Sequence, residues 1–114
     1  MTVTKHTEAI NCTSNDDPEL PARLINLGIA LSNRFERLGL LEDLHRAIEC
    51  FEQGVDSTQK DHPSRAAHLN NLCAGLIRRF EREGALADAE MAVEKCSEAV
   101  KAAPWSPPLI ERCF

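Results

Sequence analysis

The chain repeats itself at an interval of 45 residues, and this period constrains the fold more than any other feature. When residues 18–59 are laid on 63–104, sixteen of forty-two positions are identical. Pro18/Pro63, Leu24/Leu69, Asn26/Asn71, Leu27/Leu72 and Leu31/Leu76 match in the first half. Arg34-Phe35-Glu36-Arg37 returns as Arg79-Phe80-Glu81-Arg82, and Gly39/Gly84, Leu41/Leu86, Asp43/Asp88, Ala47/Ala92 and Val55/Val100 complete the second half. Ordinary amino-acid frequencies would give about two or three identities. A shared helical bias does not hold Pro, Gly and Phe in one phase. The phase also runs past both copies. Glu8-Ala9-Ile10 falls on Gln53-Gly54-Val55, while Pro108 stands 45 residues after Pro63 and Phe114 stands 45 after Leu69. The sequence therefore divides into four parts. Residues 1–17 are the remnant of a preceding unit or an N-terminal tail, 18–62 and 63–107 are full units, and 108–114 start a third unit or form a cap. Such a chain reads as a piece of a longer array or as a short protein derived from one.

Each unit reads as two helices. Leu20, Leu24, Leu27, Leu31 and Phe35 recur at steps of three and four and make one apolar stripe. Pro18 and Pro63 suit a first helical turn, where the missing N–H has no partner to lose. Gly39 and Gly84 stand where a left-handed residue ends a helix. The second helix carries Leu41, Leu44, Ala47, Ile48, Phe51 and Val55 on one side; its copy uses Leu86, Ala89, Ala92, Val93, Cys96 and Val100. Glu42, Asp43 and Asp88 suit the positive end of that helix, while Leu40 and Ala85 are poor caps. Small residues (Gly28, Ala30, Ala47 and Gly54, then Cys73, Gly75, Ala92 and Ala99) allow close approach of helix axes. A two-helix unit cannot bury its stripe alone, so stacking of units is required.

The net charge of −5 argues against a nucleic-acid backbone or an anionic membrane as the main partner. The aromatic share of 4%, without tyrosine, offers no base-stacking platform. No apolar run is long enough to cross a bilayer, and the N-terminal stretch has no apolar core of the secretory kind. A cytoplasmic chain is therefore expected, with the five cysteines Cys12, Cys50, Cys73, Cys96 and Cys113 as free thiols. Cys50, Cys73 and Cys96 read as small helix-packing residues. No pair stands at metal-ligand spacing, which disfavours zinc at His62 or His68. The sequence holds no glycine-rich phosphate loop, no H-E-x-x-H and no G-x-S-x-G. No catalytic residue, cofactor or metal is expected.

At this level the motifs resemble those of a family. Leu24-x2-Leu27-Gly28-x2-Leu31, followed by Ala47-x3-Phe51, resembles the tetratricopeptide signature. The second copy gives Leu69-x2-Leu72-Cys73-x2-Leu76, then Ala92-x3-Cys96-x2-Ala99-x4-Pro104. Asp61-His62-Pro63 followed by Leu69-Asn70-Asn71-Leu72 is similar to the long tetratricopeptide repeats of kinesin light chains. The fuller pattern, LxNLGxxLxxRFERxG…DLxxAI, is similar to repeats of large fungal proteins, where they often stand beside nucleotide-binding or caspase-like domains. Cys73, Cys96 and Gln59 depart from the residues the family prefers. The resemblance implies an all-α, right-handed α-solenoid of antiparallel helix pairs, with two full repeats and partial flanking helices. It implies a non-catalytic interaction module that binds a peptide or protein segment in its concave groove. A regulatory fragment of a larger fungal signalling protein is a further implied reading.

In such arrays the first helices line the groove. The corresponding positions here are Ala22, Ile25, Asn26, Ile29 and Asn33, then Ala67, Asn70, Asn71, Ala74 and Arg78. An asparagine at the phase of Asn26 and Asn71 resembles a clamp for a ligand's main chain, since one amide offers both donor and acceptor. Ile25, Ile29 and Ala74 are not basic, so the resemblance does not extend to arrays that hold a C-terminal carboxylate. The first helices carry seven basic and four acidic residues, the second three and nine. Clustered arginine suits an acidic or phosphorylated segment. The alternative is that Arg34, Arg37, Arg79 and Arg82 pair with Glu36, Glu81 and neighbouring carboxylates on a solvated face. Phe35 and Phe80 read as anchors against Leu41 and Leu86. Trp105, Leu109, Ile110 and Phe114 either fold back as a cap or form an adhesive surface for a homo-oligomer.

Overall fold

The computed structural model describes residues 3–11 and 19–102. Among these, the chain forms five helices and no strand: α1 Val3–Asn11, α2 Leu20–Leu38, α3 Leu41–Asp56, α4 Arg65–Glu83 and α5 Leu86–Ala102. Each helix packs on its neighbours in the chain, and α2 also touches α4. The repeat is visible in the ends of the helices. α2 and α4 each span 19 residues and stop at a left-handed glycine, Gly39 with φ 70° and Gly84 with φ 72°. Each glycine donates its N–H to the phenylalanine carbonyl four residues back, Phe35 or Phe80, at 2.7 Å. No side chain caps the start of α2, α3 or α4. The prolines sit differently from expectation. Pro21 stands in the first turn of α2, Pro63 lies in the turn before Arg65, and Pro18 falls outside the described residues.

The repeated arginine and aspartate form a latch in each unit. Arg34 donates from Nε and a terminal nitrogen to both oxygens of Asp43, at 2.8 and 2.7 Å. Arg79 does the same to Asp88 at 3.0 and 2.9 Å. Two such parallel bonds fix geometry as well as charge. Each latch ties the last turns of one helix to the first turn of the next, across the glycine. The arginine bonds hold the Asp43 and Asp88 carboxyls below the ordinary carboxylate range, against the opposing effect of burial. The second latch reaches a third helix. Arg79 also donates to His45 Nδ1 at 3.3 Å, which leaves Nε2–H to donate to Glu83 at 3.3 Å. One polar network thus joins α3, α4 and α5.

The core lies between α2, α3 and α4. Leu31, Leu44, Ile48, Leu69 and Leu76 are wholly enclosed, and Leu72 nearly so. Glycines set two close approaches. A Cβ at Gly28 would stand 2.5 Å from Phe51 Cε1, and one at Gly54 would stand 2.6 Å from Ile25 Cδ1. α1 packs on α2, with Val3 and Ile10 against the core. In the 45-residue register α1 ends at the counterpart of Asp56, where α3 ends.

The thiol expectation needs correction. Cys73 and Cys96 are joined as a disulfide between α4 and α5, with Cα atoms 5.8 Å apart. Their counterparts in the first unit are Gly28 and Phe51, the small and large halves of one close contact. The second unit replaces that complementary pair with two residues of middle size and a covalent bond. Cysteine usage thus gives no argument for a reducing compartment. Among the described residues Cys50 is the free cysteine, half-buried, and burial pushes its thiol pKa up.

Candidate functional site

With Leu24, Leu27, Leu31 and Phe35 turned into the core, α2 leaves Ala22, Asn26, Ile29 and Asn33 outward, at least partly open to solvent. α4 leaves Ala67, Asn70, Asn71, Ala74 and Arg78 on the corresponding face, with Asn71 and Arg78 half-buried. Where α2 meets α4 these faces enclose a cleft of about 180 Å³. Ile29, Ser32 and Asn33 line it from α2, and Asn71, Ala74 and Arg78 from α4. Phe51 of α3 and Gly75 complete the lining. Gly75 lets α4 approach α3 closely beneath the cleft, because a Cβ at that position would stand 3.1 Å from Ile48 and 3.5 Å from Phe51.

Five of the residues expected in the groove therefore come together: Ile29, Asn33, Asn71, Ala74 and Arg78. Three do not. Ile25 is a core residue, 5% exposed, because it fills the space that Gly54 leaves without a Cβ. Asn26 and Asn70 are exposed but stand outside the lining of this cleft. Trp105, Leu109, Ile110 and Phe114 lie outside the described residues. Ser32, Phe51 and Gly75 were not among the expected groove residues. The signal for Phe51 was its place opposite two glycines, Gly28 and Gly75, on neighbouring helices.

Six of the described arginines have partners within the fold. Arg34 and Arg79 are held by Asp43 and Asp88, and Arg78 at the cleft is paired with Glu36 of α2. Arg23 bonds Glu19 at 3.0 Å, and the Arg82 guanidinium lies 5.6 Å from the Phe35 ring centroid. Arg65 donates to the Val55 and Thr58 carbonyls at 3.1 and 2.9 Å, clasping the link between α3 and α4. In the same link the Thr58 hydroxyl donates to the Gly54 carbonyl at 2.7 Å, so His68 Nδ1–H is the donor in the 3.0 Å contact with Thr58. Burial first, and then the nearby His62 and Arg65, hold the His68 pKa below its ordinary value. The cleft consequently presents two amides, an apolar floor and one guanidinium already neutralised. The amides can donate and accept hydrogen bonds, and the floor offers apolar contact area. Among the described residues no three His, Cys, Asp or Glu side chains are grouped to hold a metal ion, and no helix is long and apolar enough to cross a membrane.

Comparison with protein-family models, with curated proteins and with solved structures finds no match for this chain.

Proposed function

We propose that this chain is a non-catalytic helical-repeat module of the tetratricopeptide type, and that the cleft between α2 and α4 holds an extended peptide or protein segment. The single observation that carries the reading is the convergence of Asn33 and Asn71, from equivalent helices of two units, on one cleft with an apolar floor. Two amides on one cleft supply donors and acceptors to a main chain, and Ile29, Ala74 and Phe51 supply contact area to its side chains. The matched helix ends and latches support a stack of like units, which in the tetratricopeptide arrangement is a right-handed solenoid of antiparallel pairs. The internal pairing of the arginines favours a segment of mixed composition over a strongly acidic one.

The test is selection from a random linear peptide library on the full chain, followed by affinity measurement on variants. Ala74→Arg places a long side chain in the cleft and is expected to weaken a selected peptide by about tenfold or more, roughly 1.4 kcal/mol. Asn71→Ala removes a donor and an acceptor and is expected to cost about 1 kcal/mol, near fivefold. Helicity by circular dichroism stays unchanged in both, since neither residue is in the core. Selected peptides whose affinity is the same for wild type and both variants contradict the proposal.

A further inference from the structure

The two units differ most in one face. In the first unit Phe35, Ile48, Phe51 and Val55 form a surface that α4 covers, and all are 8% exposed or less. Their counterparts Phe80, Val93, Cys96 and Val100 line an open apolar hollow of about 470 Å³ on α4 and α5. Val93 is 68% exposed where Ile48 is fully enclosed, and Val100 is 57% exposed where Val55 is 2%. Among the described helices α5 touches α4 alone, so none lies on this face as α4 lies on the first.

The other end of the stack indicates what fits there. α1 rests on α2, and in the 45-residue register Val3–Asn11 takes the place of 48–56 and again of 93–101. Against 48–56 α1 has no identical residue. Against 93–101 Val3, Lys5, Glu8 and Ala9 return as Val93, Lys95, Glu98 and Ala99. Chance over nine positions gives about one identity at most. Val3 and Ile10, which pack α1 against the core, hold the phase of Val93 and Val100. α2 thus already carries a helix built like the second half of α5. α1 has nine residues and α5 seventeen, so α5 brings about two further turns of contact.

The contacts that join α3 to α4 have counterparts across a joint between two copies. Arg79 of α4 reaches His45, and Arg82 lies over the Phe35 ring. On α2 of a second copy the same places hold Arg34 and Arg37, which meet Glu90 and Phe80 of the first. Glu90 is exposed, and its carboxylate gives Arg34 a charged acceptor where Arg79 has a neutral ring nitrogen. Gly75 meets Ile48, so Ala30 of the second copy meets Val93. The carbon that Ala30 adds over Gly75 is the carbon that Val93 lacks against Ile48, which conserves volume.

We propose that copies of this chain join head to tail: the hollow of one takes α2 of the next, where α5 displaces α1. The two sides of this joint are different surfaces, so each addition leaves a hollow at one end and an α1 at the other, and the series stays open. α1 is the internal competitor that sets the concentration at which copies join.

The test follows the whole chain by light scattering over a concentration series. The average mass should rise with concentration and pass that of a dimer. Val93→Arg, at an exposed position outside the core, should raise the concentration required by about tenfold or more, with helicity by circular dichroism unchanged. Chains carrying Ala30→Cys and chains carrying Val93→Cys should cross-link under mild oxidation when mixed, and neither alone should exceed the background set by the wild-type cysteines. A monomer mass at every concentration overturns the proposal. So does association that Val93→Arg leaves unchanged, and so does a Val93→Cys chain that cross-links to itself, which would set hollow against hollow.

Discussion

Asp43 and Asp88 are buried carboxylates, with side chains 4% and 8% exposed, and each depends on one arginine. Their folded pKa values lie below the ordinary aspartate value of about 3.9. The stability they contribute is therefore complete above about pH 4 and is lost as the pH falls through the depressed folded values. His68 acts in the same direction at higher pH. It is held neutral in the fold, so its contribution is complete above about pH 6.5 and declines as the pH falls from there to its folded value. Thermal melts should show a small loss of stability below about pH 6.5 and a steeper one below about pH 4. Arg79→Met strands the Asp88 carboxylate and is expected to cost about 2 kcal/mol at neutral pH. Because the cost lies in the charged carboxylate, the gap from wild type should close as the pH falls below about 4. A gap independent of pH would show that the arginine acts through packing alone. Half of this residue logic was legible in the sequence. The recurrence of Arg34 and Asp43 at Arg79 and Asp88 marked both positions, yet their pairing was not evident. A separation of nine residues across a turn falls outside the three- and four-residue spacing by which charges meet on one helix.

At the scale of helices, two kinds of glycine do different work. Gly39 stops α2 at φ 70° with nothing near its missing Cβ, so Gly39→Ala should cost about 1 kcal/mol through the backbone. Gly28 lies mid-helix against the Phe51 ring, so Gly28→Ala should cost about 2 kcal/mol through overpacking. Combining each with Phe51→Leu in urea denaturation separates them: the Gly28 pair couples, whereas the Gly39 pair adds. Equal coupling for both would contradict the assignment. The helix-ending glycines were legible because a left-handed end has a fixed place after the last apolar residue. The packing glycines were legible only as a stripe of small residues, since their large partners lie on another helix. The disulfide escaped the same way. Cys73 and Cys96 each departed from the repeat pattern, and only their union at the place of the Gly28–Phe51 contact shows the two departures to be one change. Ile25 misled for a related reason. Its phase on α2 points to the groove edge, but Gly54 opens a space that draws it inward.

At the scale of the whole molecule, the described residues make a stack in which each helix rests on the next. One end of the stack carries α1 and the other carries the hollow on α4 and α5. Two concave features thus compete for a ligand: the amide-lined cleft between α2 and α4, and the apolar hollow. In the proposed scheme the first takes the bound segment. Nuclear magnetic resonance titration of the full chain with a library-selected peptide tests that division most directly. The predicted result is saturable shifts of the Asn33 and Asn71 side-chain amide signals, with the Val93 and Val100 methyl signals unmoved. Shifts at Val93 and Val100 with the two amides unmoved would contradict it and place the ligand in the hollow instead.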